Sequence, residues 1–363
     1  MKKGSSLFAL VVFLGALSAS PMFAQDAPRT PRKLQVTAAD RAAAAAISVV
    51  HSHSLTTKTE AGTLLKHRES AVRNARSAEP FRGFSEGSSV EGNDHLRFPG
   101  DLTFLGGPTV PFAESHPIFL ASPDGTTCPA NTCWGDPDTF LNAYGRSGLA
   151  QITNQYVGQS ANDRYTLGDQ FVLPFAPSST PLIDADIQAI VHDAAALSGE
   201  AGLDHIFHVF LPPGQDVCFN ATFTACYSPD NLSTFAFCGY HSGAIFTDVG
   251  LVLYTVQPFQ DVILCHVRPG TPNGQLIDST NNVLSHELTE TITDPESDAW
   301  INFTDIALAG DEIGDECEFF VILQVAPNTF VQFFDPTTFR VGRQAFATQP
   351  EYSNQDHACA IRP

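Results

Sequence analysis

The chain has 363 residues and a formal net charge of −20 at neutral pH, from 39 acidic and 19 basic side chains. The charge is unevenly distributed: residues 25–101 carry 11 basic and 9 acidic side chains, whereas residues 102–363 carry 6 and 30. The strong negative charge of residues 102–363 disfavours nucleic acid and anionic membrane surfaces as partners, because both are themselves negatively charged.

The first 24 residues have the pattern of a secretory signal peptide. Lys2 and Lys3 are followed by the apolar stretch 7–17 and by small residues that end at Ala24. This apolar stretch is too short to span a bilayer, which requires about 20 residues. We therefore predict cleavage after Ala24 and a secreted or periplasmic protein with no membrane span.

Residues 25–105 differ in character from the rest of the chain. A helix is predicted at 38–51, and a basic stretch follows at 64–76. Ser, Gly and Glu then dominate residues 85–93 without apolar periodicity, which is typical of weakly ordered chain. We interpret residues 25–105 as a weakly structured N-terminal extension, either an inhibitory prosegment or a linker or helical addition to the fold.

Residues 106–363 mix helical and β patterns around one predicted core. The helix predicted at 185–197 has apolar residues at helical spacing, and the helix at 283–293 is stopped by Asp294-Pro295. This mixture indicates an α+β domain. In chain order, the predicted elements are a strand at 117–121, helices at 146–157 and 185–197, strands at 205–211, 243–256 and 261–266, a helix at 283–293, and strands at 319–325 and 330–334.

The sequence NNVLSHELTETITDP carries the clearest chemical signal in the chain. On a helix that advances about 100° per residue, Leu284, Leu288 and Ile292 form one apolar stripe. His286 and Glu290 are four residues apart, so they project together from another side of the helix. This arrangement is that of the His-Glu-x-x-His zinc peptidases, with a glutamate in place of the second histidine.

These residue types predict a zinc site. Catalytic zinc keeps three protein ligands and a water, and it accepts imidazole nitrogen and carboxylate oxygen. We predict His286 and Glu290 as Zn²⁺ ligands, and Glu287 as the general base that takes a proton from the water. The third ligand is expected in the acidic stretch GDEIGDEC, with Asp315 preferred over Glu312. The alternatives are His241 as a ligand, a charged exposed helix face, and an acidic turn or calcium site.

Four pieces of the chain resemble the phosphate-induced, EXORDIUM-like family of extracellular proteins: CGYH at 238–241, SHELTETITDPESDAW at 285–300, DEIGDEC at 311–317 and the final Cys359. The similarity runs from about residue 204 to the end. It implies an extracellular protein whose zincin-like core sets a metal-binding helix on a mixed β-sheet, with a role in growth or cell-surface adaptation. The family's motif residues fall on His286, Glu287, Glu290, Ala299, Trp300, Glu312, Asp315 and Cys317.

Eight cysteines follow the predicted signal peptide. An even number in an oxidising compartment predicts four disulfides, and a Cys-rich zinc site is the alternative. We predict that Cys317 pairs with Cys359 and that Cys128 pairs with Cys133, while the remaining four cysteines allow three connectivities. The full set is Cys128, Cys133, Cys218, Cys226, Cys238, Cys265, Cys317 and Cys359.

Two functions fit this sequence. The first is a secreted zinc-dependent hydrolase, a metallopeptidase acting on a peptide or cell-surface polymer. The second is a non-enzymatic, metal-stabilised extracellular binding module. Glu287 favours the first, because a purely structural metal site does not need a base beside its ligand. The missing second histidine favours the second.

Overall fold

The structure is a computed structural model that describes residues 30–45, 50–53, 100–122, 128, 133–158, 163–229, 231, 233–302 and 311–363. The predicted signal peptide and most of the predicted extension lie outside these residues. The described residues from 31 onwards belong to one compact unit of mixed α and β structure.

The helices are α1 (Ala38–Ala45), α2 (Pro137–Tyr144), α3 (Gly148–Ile152), α4 (Asn154–Val157), α5 (Asp184–Ser198) and α6 (Gln275–Thr293), with short 3-10 turns at Ile263–Cys265 and Asp315–Cys317. The strands are β1 (Arg32–Lys33), β2 (Val50–His53), β3 (Leu102–Phe104), β4 (Ala113–Ala121), β5 (Tyr165–Leu167), β6 (Phe171–Pro174), β7 (Leu182–Ile183), β8 (Gly202–Phe210), β9 (Val217–Cys218), β10 (Cys226–Tyr227), β11 (Tyr240–Phe246), β12 (Gly250–Gln257), β13 (Trp300–Asn302), β14 (Phe320–Ala326), β15 (Thr329–Phe334), β16 (Thr337–Val341), β17 (Gln344–Thr348), β18 (Glu351–Ser353) and β19 (Ala358–Ala360).

An eight-stranded mixed sheet lies at the centre of the fold. Its strand order is β1-β6-β4-β8-β12-β11-β2, and β5 also pairs with β4. The strands from β1 to β12 in this order run parallel to their neighbours, and β11 is antiparallel to both β12 and β2. The smaller sheets are β10-β9-β7, β13-β3, β14-β15, β16-β17 and β18-β19.

Both faces of the central sheet are covered, which gives three layers. On β8, Phe207 and Val209 belong to the core under α5, whereas Ile206 and Phe210 belong to the core that contains the apolar residues of α6. Alternation along a strand sends neighbouring side chains to opposite faces. The second half of β8, residues 206–210, is buried and carries apolar residues at every position except His208, as expected for a strand covered on both sides.

The N-terminal segment belongs to this core. β1 pairs with β6 at one edge of the central sheet, and β2 pairs with β11 at the other edge. Helix α1 packs against α5, where His192 lies 2.8 Å from the Asp40 carboxylate and 3.0 Å from that of Asp248. The described part of the N-terminal extension thus supplies both edge strands of the sheet.

Four disulfides cross-link the chain, and no cysteine is free. Both predicted pairs are confirmed, Cys317 with Cys359 and Cys128 with Cys133. The remaining four form the pairs Cys218–Cys226 and Cys238–Cys265. Disulfides persist in oxidising compartments, so their number fits an extracytoplasmic location.

Several element boundaries differ from the sequence-based expectation. The helix predicted at 38–51 ends at Ala45, and residues 50–53 are a strand. The strand predicted at 261–266 contains a 3-10 turn instead, and the helix predicted at 146–157 is two short helices. Within the described residues, no helix combines the length and apolar character that a bilayer-crossing segment requires.

Candidate metal centre

Helix α6 positions the predicted ligands. It begins after Gly274, whose φ is 91°, and ends at Asp294, whose N–H donates to the Glu290 carbonyl. Leu284, Leu288 and Ile292 are at most 1% exposed and pack into the core, as their spacing predicts. Because that stripe fixes the rotation of the helix, the orientation of the polar side chains of α6 is fixed as well.

The first group of metal-binding side chains contains His286, Glu290 and Asp315. One ligand atom from each residue lies within 4.8 Å of the other two. His286 Nε2 lies 3.2 Å from Glu290 Oε1 and 3.7 Å from Asp315 Oδ1. The Asp315 N–H also donates to Glu290 Oε1 at 3.3 Å. The side chains of His286 and Asp315 are 13% and 23% exposed, so this group reaches the protein surface.

A second, deeper group shares Glu290 with the first. The His241 side chain projects from β11 towards α6, where its Nδ1 lies 3.3 Å from Glu287 Oε2 and 3.5 Å from Glu290 Oε2. Its Nε2 lies 3.7 Å from Glu312 Oε2. His241, Glu290 and Glu312 again bring three ligand atoms within 4.8 Å of one another, and all three residues are buried. The two carboxylate oxygens of Glu290 therefore face different imidazoles.

The acidic stretch is held against α6 by its backbone. Gln349 Nε2 donates to the Gly314 carbonyl at 2.6 Å, and the Tyr352 N–H donates to the Ile313 carbonyl at 3.0 Å. The Cys317–Cys359 disulfide closes the same region. Asp315 is therefore placed by contacts of its segment with residues near the C-terminus and by its own side chain, whose Oδ2 accepts from the Glu312 N–H at 3.0 Å.

Gly314 lets this stretch approach the imidazole closely. A Cβ atom at Gly314 would lie 2.6 Å from His286 Nδ1 and 2.9 Å from Glu290 Oε1. Both distances are well inside van der Waals contact, so a larger residue would push the two side chains away. Only glycine fits between the acidic stretch and the helix in this arrangement.

Buried carboxylates control the protonation of both imidazoles. Burial by itself lowers the pKa of His241, but the carboxylates of Glu312, Glu287 and Glu290 outweigh it and raise that pKa well above its ordinary value. Burial also opposes the charged form of His286, and Glu290 raises its pKa in the same way. Burial raises the pKa of Glu312, whereas the two imidazoles lower the pKa of Glu290 despite its burial.

Two further carboxyl groups add to this density of acids. Burial raises the pKa of Glu318 to about 8, and burial likewise raises the pKa of Glu351 well above its ordinary value. Carboxylates removed from water require a positive partner or a proton. The centre therefore favours positive charge, and the raised pKa values of His241 and His286 favour the protonated form of both imidazoles.

The structure brings together most of the residues that the sequence singled out. Asp315, the preferred third ligand, lies with His286 and Glu290, whereas Glu312 lies with His241 in the deeper group. Glu287 is 3% exposed and contacts His241. The expectation of an exposed charged helix face is wrong, because the Glu287 and Glu290 side chains are buried.

Among the residues that the structure describes, one other group of metal-binding type was not predicted from the sequence. It contains Glu114, His116, Glu200 and His205 and lies near the start of β4 and β8. The sequence pattern that could have indicated this group is Glu114-Ser115-His116, because residues two apart on a strand project from the same face.

Helix α6 thus presents one imidazole and two buried carboxylates to an acidic stretch that is held in place by the C-terminal strands and a disulfide. The chain matches no protein-family model, no curated protein and no solved structure, and its function is therefore inferred from the chemistry of these residues alone.

Proposed function

We propose that this protein is an extracytoplasmic zinc-dependent hydrolase of the metallopeptidase type. His286, Glu290 and Asp315 would hold Zn²⁺, and Glu287 would act as the general base. The single observation that carries the proposal is the first group: one imidazole nitrogen and two carboxylate oxygens converge within 4.8 Å at a position that reaches the surface. One nitrogen and two oxygens are a suitable donor set for catalytic zinc, which keeps a fourth position for water.

The charge of the centre also supports a bound cation. Four carboxyl groups, those of Glu287, Glu290, Glu312 and Asp315, surround two imidazoles. Metal binding releases protons from the ligands. A divalent cation would therefore replace the proton of the His286 imidazolium as the positive charge that balances these carboxylates. The Asp315 N–H bond to Glu290 Oε1 sets the spacing of the two carboxylates before any cation binds.

When bound, Zn²⁺ supplies Lewis acidity, which polarises a carbonyl group and lowers the pKa of a coordinated water. The chain's own residues supply the rest. Glu287 follows the ligand His286 directly in the sequence, and its buried carboxylate lies beside His241. His241 lies 3.3 Å from Glu287 Oε2 and 3.5 Å from Glu290 Oε2, so it orients both carboxylates and acts as a positioning residue.

The test combines metal content with turnover in three variants of the full chain. His286→Ala should lose the bound zinc, because it removes the only nitrogen of the first group. Glu287→Gln should keep the zinc and lose hydrolysis of a casein-type substrate, because the amide cannot accept the proton. Glu296→Gln, the same chemical change a few residues beyond the ligands, is the matched control and should keep both.

Two results would overturn the proposal. Equal zinc content in His286→Ala and wild type would reject the ligand assignment. Unchanged turnover in Glu287→Gln would reject the general base.

The binding module is the second candidate, and the deeper group favours it. His241, Glu290 and Glu312 are at most 2% exposed, which suits a closed structural site better than an open catalytic one. Zinc bound by the wild type, without hydrolysis of any peptide tested, would support this alternative. The zincin-like core and the EXORDIUM-like relationship stay predictions, supported by a His-Glu-x-x-Glu helix that packs on a mixed sheet.

A further inference from the structure

A separate pair of histidines lies on the other face of the central sheet. His116 on β4 stacks on Phe207 with ring centroids 4.9 Å apart, and Phe207 belongs to the core under α5. His116 Nε2 lies 3.0 Å from Nδ1 of His205 on β8. His241, by contrast, contacts α6 on the opposite face. Nothing in the proposed hydrolytic centre uses this pair.

Two carboxylates complete the group. Glu114 projects from β4 two residues before His116, and Glu200 lies in the turn between α5 and β8. One atom from each of the four side chains lies within 4.8 Å of the other three. Glu200 Oε2 is buried, 3.5 Å from His116 Nδ1, and accepts no hydrogen bond within the described part of the chain. Two nitrogens and two oxygens thus converge from three separate segments.

The hydrogen bonds of His116 indicate that its Nε2 is unprotonated in the neutral ring. Its Nδ1 lies 3.2 Å from the backbone oxygen of Asp169, which can only accept, so Nδ1 carries the proton in the neutral ring. Its Nε2 then presents a lone pair towards His205 Nδ1. A ring N–H given to a backbone carbonyl is the usual way in which a protein orients a metal-binding imidazole.

The spacing of the two rings suits a tetrahedral ion. Two nitrogens bound to zinc at about 2.0–2.1 Å with tetrahedral angles are separated by about 3.3 Å. The observed separation of 3.0 Å is therefore close to that of two ligands of one ion. Glu114 is exposed and the Glu200 side chain is 28% exposed, so both carboxylates have room to close on the ion.

The buried ring is held in a fixed orientation. A Cβ atom at Gly168 would overlap the His116 imidazole, so the backbone at this glycine closes against the ring. On the other side the ring lies against Phe207. The His116 ring is therefore preorganised, whereas Glu200, whose Oε2 lies beside Nδ1, and the exposed Glu114 must turn towards Nε2 to reach the same ion.

We propose that Glu114, His116, Glu200 and His205 form a second metal site, for a divalent transition metal of the zinc type. Four protein ligands fill a tetrahedral zinc, so the site is structural rather than catalytic. It joins β4 to β8 and to the turn that leads out of α5. An ion that binds only the folded chain stabilises it, so an ion bound here would stabilise the contact between the start of β4 and the start of β8.

The test is the zinc stoichiometry of the full chain. Protein is stripped with a chelator, loaded with Zn²⁺, desalted and analysed for metal, with circular dichroism to verify folding. We expect two equivalents in wild type, one in His205→Ala, and one in His286→Ala. The double variant should bind none. Asp163→Asn, which changes an exposed carboxylate outside these groups of side chains, is the matched control and should keep two.

Failure of this site is distinguishable from failure of the proposed hydrolytic centre. If His286→Ala binds as much zinc as wild type while His205→Ala loses one equivalent, the second site stands and the first does not. If His205→Ala does not fold, Glu200→Gln removes a ligand charge at a partly exposed position without changing the side-chain volume, and it should also lose one equivalent. Wild-type stoichiometry in a folded His205→Ala or Glu200→Gln variant would overturn the proposal and leave a hydrogen-bonded histidine pair.

Discussion

The close approach of Gly314 to helix α6 leads to a prediction that needs no metal. Gly314 has φ −79° and ψ −45°, which an alanine adopts without strain. The new Cβ would lie 2.6 Å from His286 Nδ1 and 2.9 Å from its Cε1, about 1 Å short of an ordinary contact. Inserting a methyl group into a packed site costs about 1–3 kcal/mol. Alanine also lowers the conformational entropy of the unfolded chain, which stabilises the folded protein by about 0.4–1 kcal/mol.

We therefore expect Gly314→Ala to lower the free energy of unfolding of the metal-free protein by about 1–2 kcal/mol. Two of the three closest atoms belong to His286, so the same substitution in a His286→Ala background should have a much smaller effect. Urea unfolding of all four proteins of this double-mutant cycle, with disulfides intact and chelator present, measures the coupling. Equal destabilisation in the two backgrounds would refute the reasoning, as would a stabilising effect in wild type.

Three further predictions concern other parts of the fold. Burial raises the pKa of Asp184 to about 6 from 3.8, so the native state binds this proton more tightly than the unfolded chain does. Its contribution to stability therefore increases by about 2 kcal/mol as the pH falls from 7 to 4, and Asp184→Asn should flatten urea-derived unfolding free energies over that range. Asp40→Asn should weaken the contact with His192 by about 1–2 kcal/mol, so residues 30–45 should exchange amide hydrogens faster than in wild type; unchanged protection would contradict this. Replacing Cys317 and Cys359 by serine opens a loop whose ends are 42 residues apart and should cost about 4 kcal/mol in thermal or urea unfolding; a loss below about 1 kcal/mol would show that strand packing alone holds this loop.

Helix α6 was predictable because its apolar residues repeat at helical spacing. Its start was not. Helix α6 begins at residue 275, eight positions before the predicted start, and residues 278–282 in its first turns are polar and nevertheless buried. Asp278 accepts hydrogen bonds from Asn273 and Asn281, and Asn282 accepts one from the Gln349 N–H at 2.6 Å. Such specific polar contacts leave no hydrophobic periodicity in the sequence.

The partners of the centre were only partly predictable. The motif identified His286, Glu287 and Glu290, because all three lie on about one turn of helix α6. His241 is 46 residues from Glu287 and reaches it only because β11 and α6 stack across one face of the sheet. The sequence alone could name His241 as a candidate, but it could not place it against two carboxylates.

The two edge strands that the N-terminal segment supplies bear on the order of folding. β1 pairs with a strand about 140 residues later in the chain, and β2 pairs with one about 190 residues later. Closing such long loops is entropically costly, and contacts of this separation slow folding. β1 and β2 are synthesised before the strands with which they pair, so these two edge strands can join the sheet only after β6 and β11 have been made.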